Sequence, residues 1–198
     1  MPKPPNDLTW PELGNLVPRW RVGPLKWLSR ATLRVFGWRI CGTPPNVKKT
    51  IFAVAPHTSN WDWVLCMLLL FSLEIRVRWV AKSSMFSGVG GWFFRKLGGV
   101  GVDRSGPRGF VGATARWFVE QEQAWLALAP EGTRKKVNRF KSGFYHIARE
   151  ADVPIVAVSV DFENRLVKFF PPVLATEEVE QGVVAFEKML GFDRTADN

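Results

Sequence analysis

The stretch TIFAVAPHTSNWD occupies Thr50–Asp62, and its two halves ask for different structures. Residues 50–55 form a short apolar run of the length of a buried strand, with no alternation that would give one face to water. Residues 56–62 are mostly polar and predict a loop at the strand's carboxyl end. Ser59 or Asn60 is placed to cap a helix running to about Ser72, since either side chain accepts from the first unpaired helical amides. Strand, loop and helix in that order are half of the crossover unit that joins parallel strands.

The same alternation continues downstream. IRVRWVA (75–81) reads as a second strand, MFSGVGGWFFRKLG (85–98) as a glycine-interrupted helix, and GVGV (99–102) as a short strand before Asp103 and Arg104. GFVGATARWFVEQE (109–122) is a helix, and AWLALA (124–129) is a buried strand ending at the loop PEGTR (130–134). SGFYHIAREA (142–151) is a helix, PIVAVSVDF (154–162) a strand, and RLVKFFPP (165–172) its hairpin partner. A helix from about Glu177 to Leu190 ends the pattern. The expectation is a single α/β domain with a largely parallel central sheet flanked by helices. No internal repeat is visible.

Length and composition bound what this domain does. At 198 residues the chain is long enough for one core, removing roughly 70% of its unfolded surface from water. With 46% hydrophobic and 23% charged residues it is not a disordered chain. Cys41 and Cys66 are the two cysteines, too few for a disulfide scaffold, so a reducing compartment is expected. No Cys and His spacing suits a metal, and none is expected. The longest apolar run, Trp63–Leu73, has eleven residues against the ~20 that span a bilayer. The N-terminus has no signal-peptide pattern.

The charge is uneven. Twenty-seven basic side chains outweigh 18 acidic ones, for a net +9. Residues 1–50 hold nine Lys or Arg against Asp7 and Glu12 alone. Such a surface attracts polyanions: nucleic acid, anionic lipid or phosphorylated substrates. Trp10, Trp20, Trp27 and Trp38 share this region, and tryptophan suits a boundary between water and hydrocarbon, which favours lipid over nucleic acid. After an irregular start rich in Pro, Gly and Trp, LKWLSRATLRVFGW (Leu25–Trp38) predicts a basic amphipathic helix. Lys26, Arg30 and Arg34 form one stripe and Leu28, Ala31 and Val35 another. That helix packs on the core with a solvated basic side, or lies in a lipid interface, and the two readings are compatible on different faces. Residues 1–45 are read as a basic, Trp-rich membrane-interface segment and 46–198 as the functional domain. The expected location is cytoplasmic, peripheral on the inner face of the membrane.

Four polar clusters fall where such sheets hold ligands, at strand carboxyl ends: HTSNWD, Asp103–Arg104, PEGTR and the basic run that follows it. His57 and Asp62 stand in an H-x4-D spacing. A carboxylate holding Nδ1–H of an imidazole leaves Nε2 able to take a proton, which would activate a hydroxyl without a nucleophilic Ser or Cys. The bare spacing equally suits a helix cap and a surface histidine. His146, beside Tyr145 and Ile147 without a carboxylate at short spacing, reads as structural.

Taken together, H-x4-D, then G-x4-R (Gly99–Arg104), then PEGTR, then VPIVAV (153–158) resembles the glycerolipid acyltransferase family, whose best-known type is 1-acylglycerol-3-phosphate acyltransferase. The four blocks cover about residues 50–160. The resemblance implies transfer of a fatty acyl group from an acyl-CoA or acyl carrier protein thioester to a hydroxyl of a lysophospholipid, with no cofactor beyond that co-substrate. It implies His57 as general base and Asp62 as its orienting partner. Arg104 would pair with phosphate, and Glu131, Gly132, Thr133 and Arg134 would form the substrate loop. Lys82, in VAKSSMF (Val80–Phe86), looks like the family's lysine between the first two blocks. The basic run Arg134, Lys135, Lys136, Arg139 and Lys141 reads as a solvated loop, or as a receiver of the phosphates of coenzyme A or of the acidic face of a carrier protein. Pro56 stands where the family commonly has Asn, within an aromatic NWDW frame, which keeps open a lipid acceptor without glycerol phosphate. The reading of another class is a non-catalytic binder of anionic membrane or nucleic acid, and it leaves the ordered blocks unused.

Overall fold

Why residues 50–55 carry no polar alternation is visible once the sheet is assembled. The computed structural model describes residues 9–57, 59–102, 107–133 and 137–192. Seven strands form one sheet in the order β1-β7-β6-β2-β5-β3-β4: β1 (Arg39–Cys41), β2 (Lys49–Ala55), β3 (Arg78–Lys82), β4 (Gly99–Val102), β5 (Ala124–Leu128), β6 (Ile155–Asp161) and β7 (Leu166–Phe169). The block β6-β2-β5-β3-β4 is parallel throughout. β7 runs antiparallel to β6, and β1 lies parallel to β7 at the edge.

Central β2 is covered on both faces. Ile51, Ala53 and Ala55 join one core with Phe118, Phe144, Ile147 and Val183. Those side chains come from helices α4 (Pro107–Glu120), α5 (Gly143–Ala151) and α6 (Val179–Met189). Phe52 enters the opposite core with Leu33, Leu65, Leu69 and Leu73, from α1 (Pro24–Val35) and α2 (Asn60–Leu73). Successive strand residues point to opposite faces, so a strand covered on both sides is apolar at every position. The expected fold class holds.

Three local departures have physical causes. The strand expected from Ile75 begins at Arg78, because the N-terminal segment takes the preceding backbone. Trp20 N–H donates to Glu74 O at 2.9 Å, and Arg76 N–H donates to Pro18 O at 2.9 Å. The helix expected over 85–98 is divided into a 3-10 turn (Ser83–Phe86) and α3 (Gly88–Lys96), with Gly88, the first residue of α3, at φ 65°. β1, three residues long, has too little sequence to show a period.

The N-terminal helix is present and packs Leu33 into the core, but its stripes are turned from those expected. Lys26 and Arg30 are partly covered, while Arg34 and the Leu28, Ala31 and Val35 stripe are exposed. The helix stops at Val35, where Gly37 at φ 69° lets Trp38 N–H reach Leu33 O at 2.9 Å, a left-handed termination. The expectation of a solvated basic side is corrected for Lys26 and Arg30. Lys26 Nζ lies 2.6 Å from Glu74 Oε2, and Arg30 Nε donates to Ser72 O at 3.0 Å while its guanidinium stacks 4.6 Å from the Trp10 ring. Both cations serve the carboxyl end of α2, where orphan carbonyls and the negative pole of the helix dipole attract positive charge. Leu25, Trp27, Leu28, Val35 and Phe36 are left in solvent, Trp27 at 66% and Val35 at 81% exposure. Among the described residues no helix is long and apolar enough to cross a membrane.

Candidate active site

β2 and β5 are adjacent and parallel, in register at Ala53 and Leu128, so the loops that leave their carboxyl ends meet. His57 stands on the first loop and Glu131 on the second. The backbone N–H of His57 donates to both oxygens of the Glu131 carboxylate, at 3.1 and 3.2 Å. Glu131 is only 6% exposed. Sequence reasoning gave this side chain to the substrate, whereas the structure turns it toward the loop that carries His57. Burial raises the Glu131 carboxyl above the usual range; the His57 N–H opposes that rise and the negative charge of Asp62 adds to it.

The first turn of α2 holds Asp62 in place. Ser59 is the N-cap, its Oγ accepting from Trp61 N–H at 3.1 Å, and Asp62 at the third helical position accepts from Ser59 N–H at 2.8 Å through Oδ2. This reciprocal capping box closes two orphan amides at once. The same Oδ2 lies 3.2 Å from Nδ1 of His57. Capping and pairing are therefore one arrangement: the helix start that satisfies its own amides also fixes the carboxylate against the imidazole. Asp62 is buried at 3% exposure, while the imidazole remains partly open. A proton on Nδ1 directed at this carboxylate leaves Nε2 as the nitrogen that can take one. One helical turn on, burial and then the Asp62 charge push the Cys66 thiol up to about 12.

His57 lines a cavity of about 1430 Å³ that continues to Gly132 and Thr133. Its walls include the apolar side chains Val80, Met85, Phe110, Val111 and Phe144, on the side of the sheet covered by α4, α5 and α6. Gly132 has φ 67°, a left-handed conformation that favours glycine. The cavity thus joins the His57–Asp62 pair to the glycine-bearing turn. Lys82 is the last residue of β3, next to Ala81, which lines the cavity. Arg104 and Arg134 lie outside the described residues. His146, read as structural, is half-buried and also lines the cavity, as does Glu150, one helical turn beyond it. That i, i+4 spacing was the signal for a shared face. Among the described residues no group of three or more His, Cys, Asp or Glu could hold a metal ion.

The sequence profile of the Acyltransferase family matches residues 40–161. The fold is similar to that of the 1-acyl-sn-glycerophosphate (LPA) acyltransferase PlsC from Thermotoga maritima, with a TM-score of 0.51 over 83% of this chain and 78% of that one, at 18% sequence identity. No curated protein matches the sequence significantly. The profile takes in more than half of the chain, including His57, Asp62 and all four blocks, and the chain therefore belongs to the Acyltransferase family.

Proposed function

We propose that this protein is an O-acyltransferase that moves a fatty acyl group from an acyl-CoA or acyl carrier protein thioester to a hydroxyl of a lysophospholipid such as 1-acylglycerol-3-phosphate. The observation that carries the reading is Nδ1 of His57 at 3.2 Å from a buried, helix-capped Asp62, in the cavity that reaches Gly132. Nε2 of His57 takes the acceptor's hydroxyl proton as its oxygen attacks the thioester carbonyl. The tetrahedral intermediate collapses, the C–S bond breaks, and the thiolate leaves with the proton carried by the imidazolium. Asp62 steadies that imidazolium and fixes the ring. A positioned base of this kind supplies roughly 10²- to 10⁴-fold. Glu131 holds the backbone of His57 at the mouth of the cavity.

In this reading Arg104 and Arg134 take acceptor phosphate, with Lys82, Gly132 and Thr133 completing the binding surface. A guanidinium fork matches phosphate oxygens. No cofactor takes part; the thioester is a co-substrate. The apolar outward face of α1, within the membrane-interface segment 1–45, rests on the anionic cytoplasmic face of a membrane, where the lipid acceptor resides. That surface supports a peripheral position on the inner leaflet, with lipid rather than nucleic acid as the partner.

The test is release of free thiol from acyl-CoA and acyl carrier protein thioesters in the presence of lysophospholipids. Turnover that is lost in His57→Ala supports the assignment; equal thiol release and acceptor consumption by parent and variant refutes it. A second acceptor class is favoured by one observation, the exposed Trp61 (71%) beside the dyad, in the unusual aromatic frame. Arg104→Ala decides between them: selective loss on phosphorylated acceptors supports glycerol phosphate, and indifference to phosphate supports a neutral lipid.

A further inference from the structure

The connection from β5 to α5 doubles back on itself and fixes one lysine at two successive amides. Phe140 N–H donates to Glu187 Oε1 at 2.6 Å, and Glu187 is buried on α6 at 1% exposure. The next amide, Lys141 N–H, donates to Pro130 O at 2.8 Å. With its backbone held on both sides, Lys141 sends its side chain across Gly132. A Cβ built on Gly132 would stand 2.8 Å from Lys141 Cδ and 3.1 Å from both Cε and Nζ. The ammonium therefore rests on the glycine of the PEGTR turn, in the cavity that His57 also lines.

Nothing described neutralises it. The ion pairs among the described residues join Lys26 to Glu74, Lys48 to Glu122 and His57 to Asp62, and the neighbouring Glu131 is turned to the His57 amide. The cavity has apolar walls and is also lined by Glu150 and Glu180; a cation fixed there by its backbone attracts an anion brought by a ligand. In the reaction above, the acyl ester linkages are neutral and the phosphates of acceptor or donor supply the anions.

We propose that Lys141 is a phosphate-binding, specificity-determining residue of this cavity, its ammonium taking a phosphate oxygen of a substrate; the assignment rests on the acyl-transfer reading. Its stem shields the Gly132 turn while its head presents a point charge. Lys141 is solvent-exposed, as is Arg139, which also lines the cavity; the contact with Gly132 is what marks Lys141 within the basic run.

Lys141→Met keeps the stem and removes the charge; Lys141→Arg keeps the charge. With acyl-CoA as donor, Lys141→Met is expected to raise KM for 1-acylglycerol-3-phosphate about 10-fold, the loss of one charge-assisted hydrogen bond, and to leave KM for 1-acylglycerol unchanged. A rise for acyl-CoA that is absent with acyl-pantetheine assigns the phosphate to the donor instead. Lys141→Arg recovers most of the affinity in either case. KM values within twofold of the parent for all four compounds, or a rise equal on charged and neutral partners, overturn the proposal. Calorimetric binding of glycerol 3-phosphate and adenosine 3′,5′-bisphosphate separates the two readings. Weaker binding by Lys141→Met, in a protein that turns over no acceptor, keeps the lysine and removes acyl transfer. Turnover by the parent with binding and KM unaltered in Lys141→Met removes the lysine alone.

Discussion

The two ends of α2 obey one electrostatic rule and end up with opposite surfaces. At the amino end the orphan amides and the positive pole of the dipole are met by Ser59 and Asp62, and the acid that caps the helix is also the partner of His57. At the carboxyl end the orphan carbonyls and Glu74 are met by Arg30 and Lys26 from α1. An acid of α2 itself meets the first turn, whereas the last turn has no base of its own and an acid, Glu74, at the cap, so the cations the dipole favours there come from α1. The consequences diverge: one end buries two carboxylates around a partly open imidazole, and the other turns an apolar stripe of α1 outward. Buried polar groups and exposed large apolar groups are the informative exceptions to ordinary burial, and here a single helix organises both.

The largest expected effect separates capping from chemistry at the amino end. Asp62→Asn keeps an oxygen for Ser59 N–H but removes the carboxylate charge from His57, so thiol release is expected to fall by roughly 10²-fold or more, with little change in thermal midpoint. Ser59→Ala removes the cap and costs about 1 kcal/mol of stability, yet leaves most of the turnover. Steady-state kinetics and thermal melts on both variants make the check. Should Asp62→Asn unfold the protein more than Ser59→Ala while retaining activity, the pair is a cap and nothing else.

At the carboxyl end the corresponding change is Leu28→Ser combined with Val35→Ser. Neither side chain is packed in the protein, so stability should move by no more than about 0.5 kcal/mol. Sedimentation with anionic vesicles should fall by about tenfold, because even partial insertion of two such side chains is worth more than about 1.4 kcal/mol. Activity on a short-chain acceptor dispersed without vesicles should persist. Unchanged vesicle binding would detach the outward face of α1 from any lipid role.

Most of the fold was legible because β2, β5 and β6 are covered on both faces and their apolar runs say so without tertiary knowledge. β1 and the late start of β3 were not legible, since pairing with distant segments decides both: Arg39–Cys41 against Leu166–Lys168, and Arg19 against Ile75. In the site, the spacing of His57 and Asp62 was readable because helix caps are local. The orientation of Glu131 was hidden, as it depends on β5 lying beside β2. The facing of the α1 stripes escaped for a related reason: periodicity reports that a helix has two sides, and only its neighbour decides which side faces in. Here the carbonyl end of α2 made that choice.

A smaller effect concerns Glu131. Burial raises this carboxyl in the folded state, so the folded protein holds the proton more tightly than the unfolded chain does. The associated stability is fully present below the unfolded carboxyl value of about 4.3 and is lost as pH rises through the higher folded value. Denaturant midpoints of parent and Glu131→Gln, compared between about pH 4 and pH 7, should show the parent losing ground to the variant as pH rises. A difference that stays flat across that window would mean that the buried position does not burden the carboxylate, and the inward role given to it through the His57 amide would lose its energetic mark.

The smallest effect reads the charge of Asp62 without any substrate. Cys66 lies one turn beyond Asp62, its thiol pushed up to about 12, first by burial and then by that carboxylate. At pH 8 the native thiol should resist alkylation, since only the thiolate reacts, and mass spectrometry of the modified protein reports it directly. Asp62→Asn leaves the burial and removes the charge, so alkylation of Cys66 should quicken modestly while remaining far slower than in the unfolded chain. His57→Ala leaves the carboxylate in place and should not produce the same acceleration. Equal rates in the parent and Asp62→Asn would mean that position 62 carries no net charge in the free protein. The capping box would survive that result, but an ionised partner for the imidazole would not.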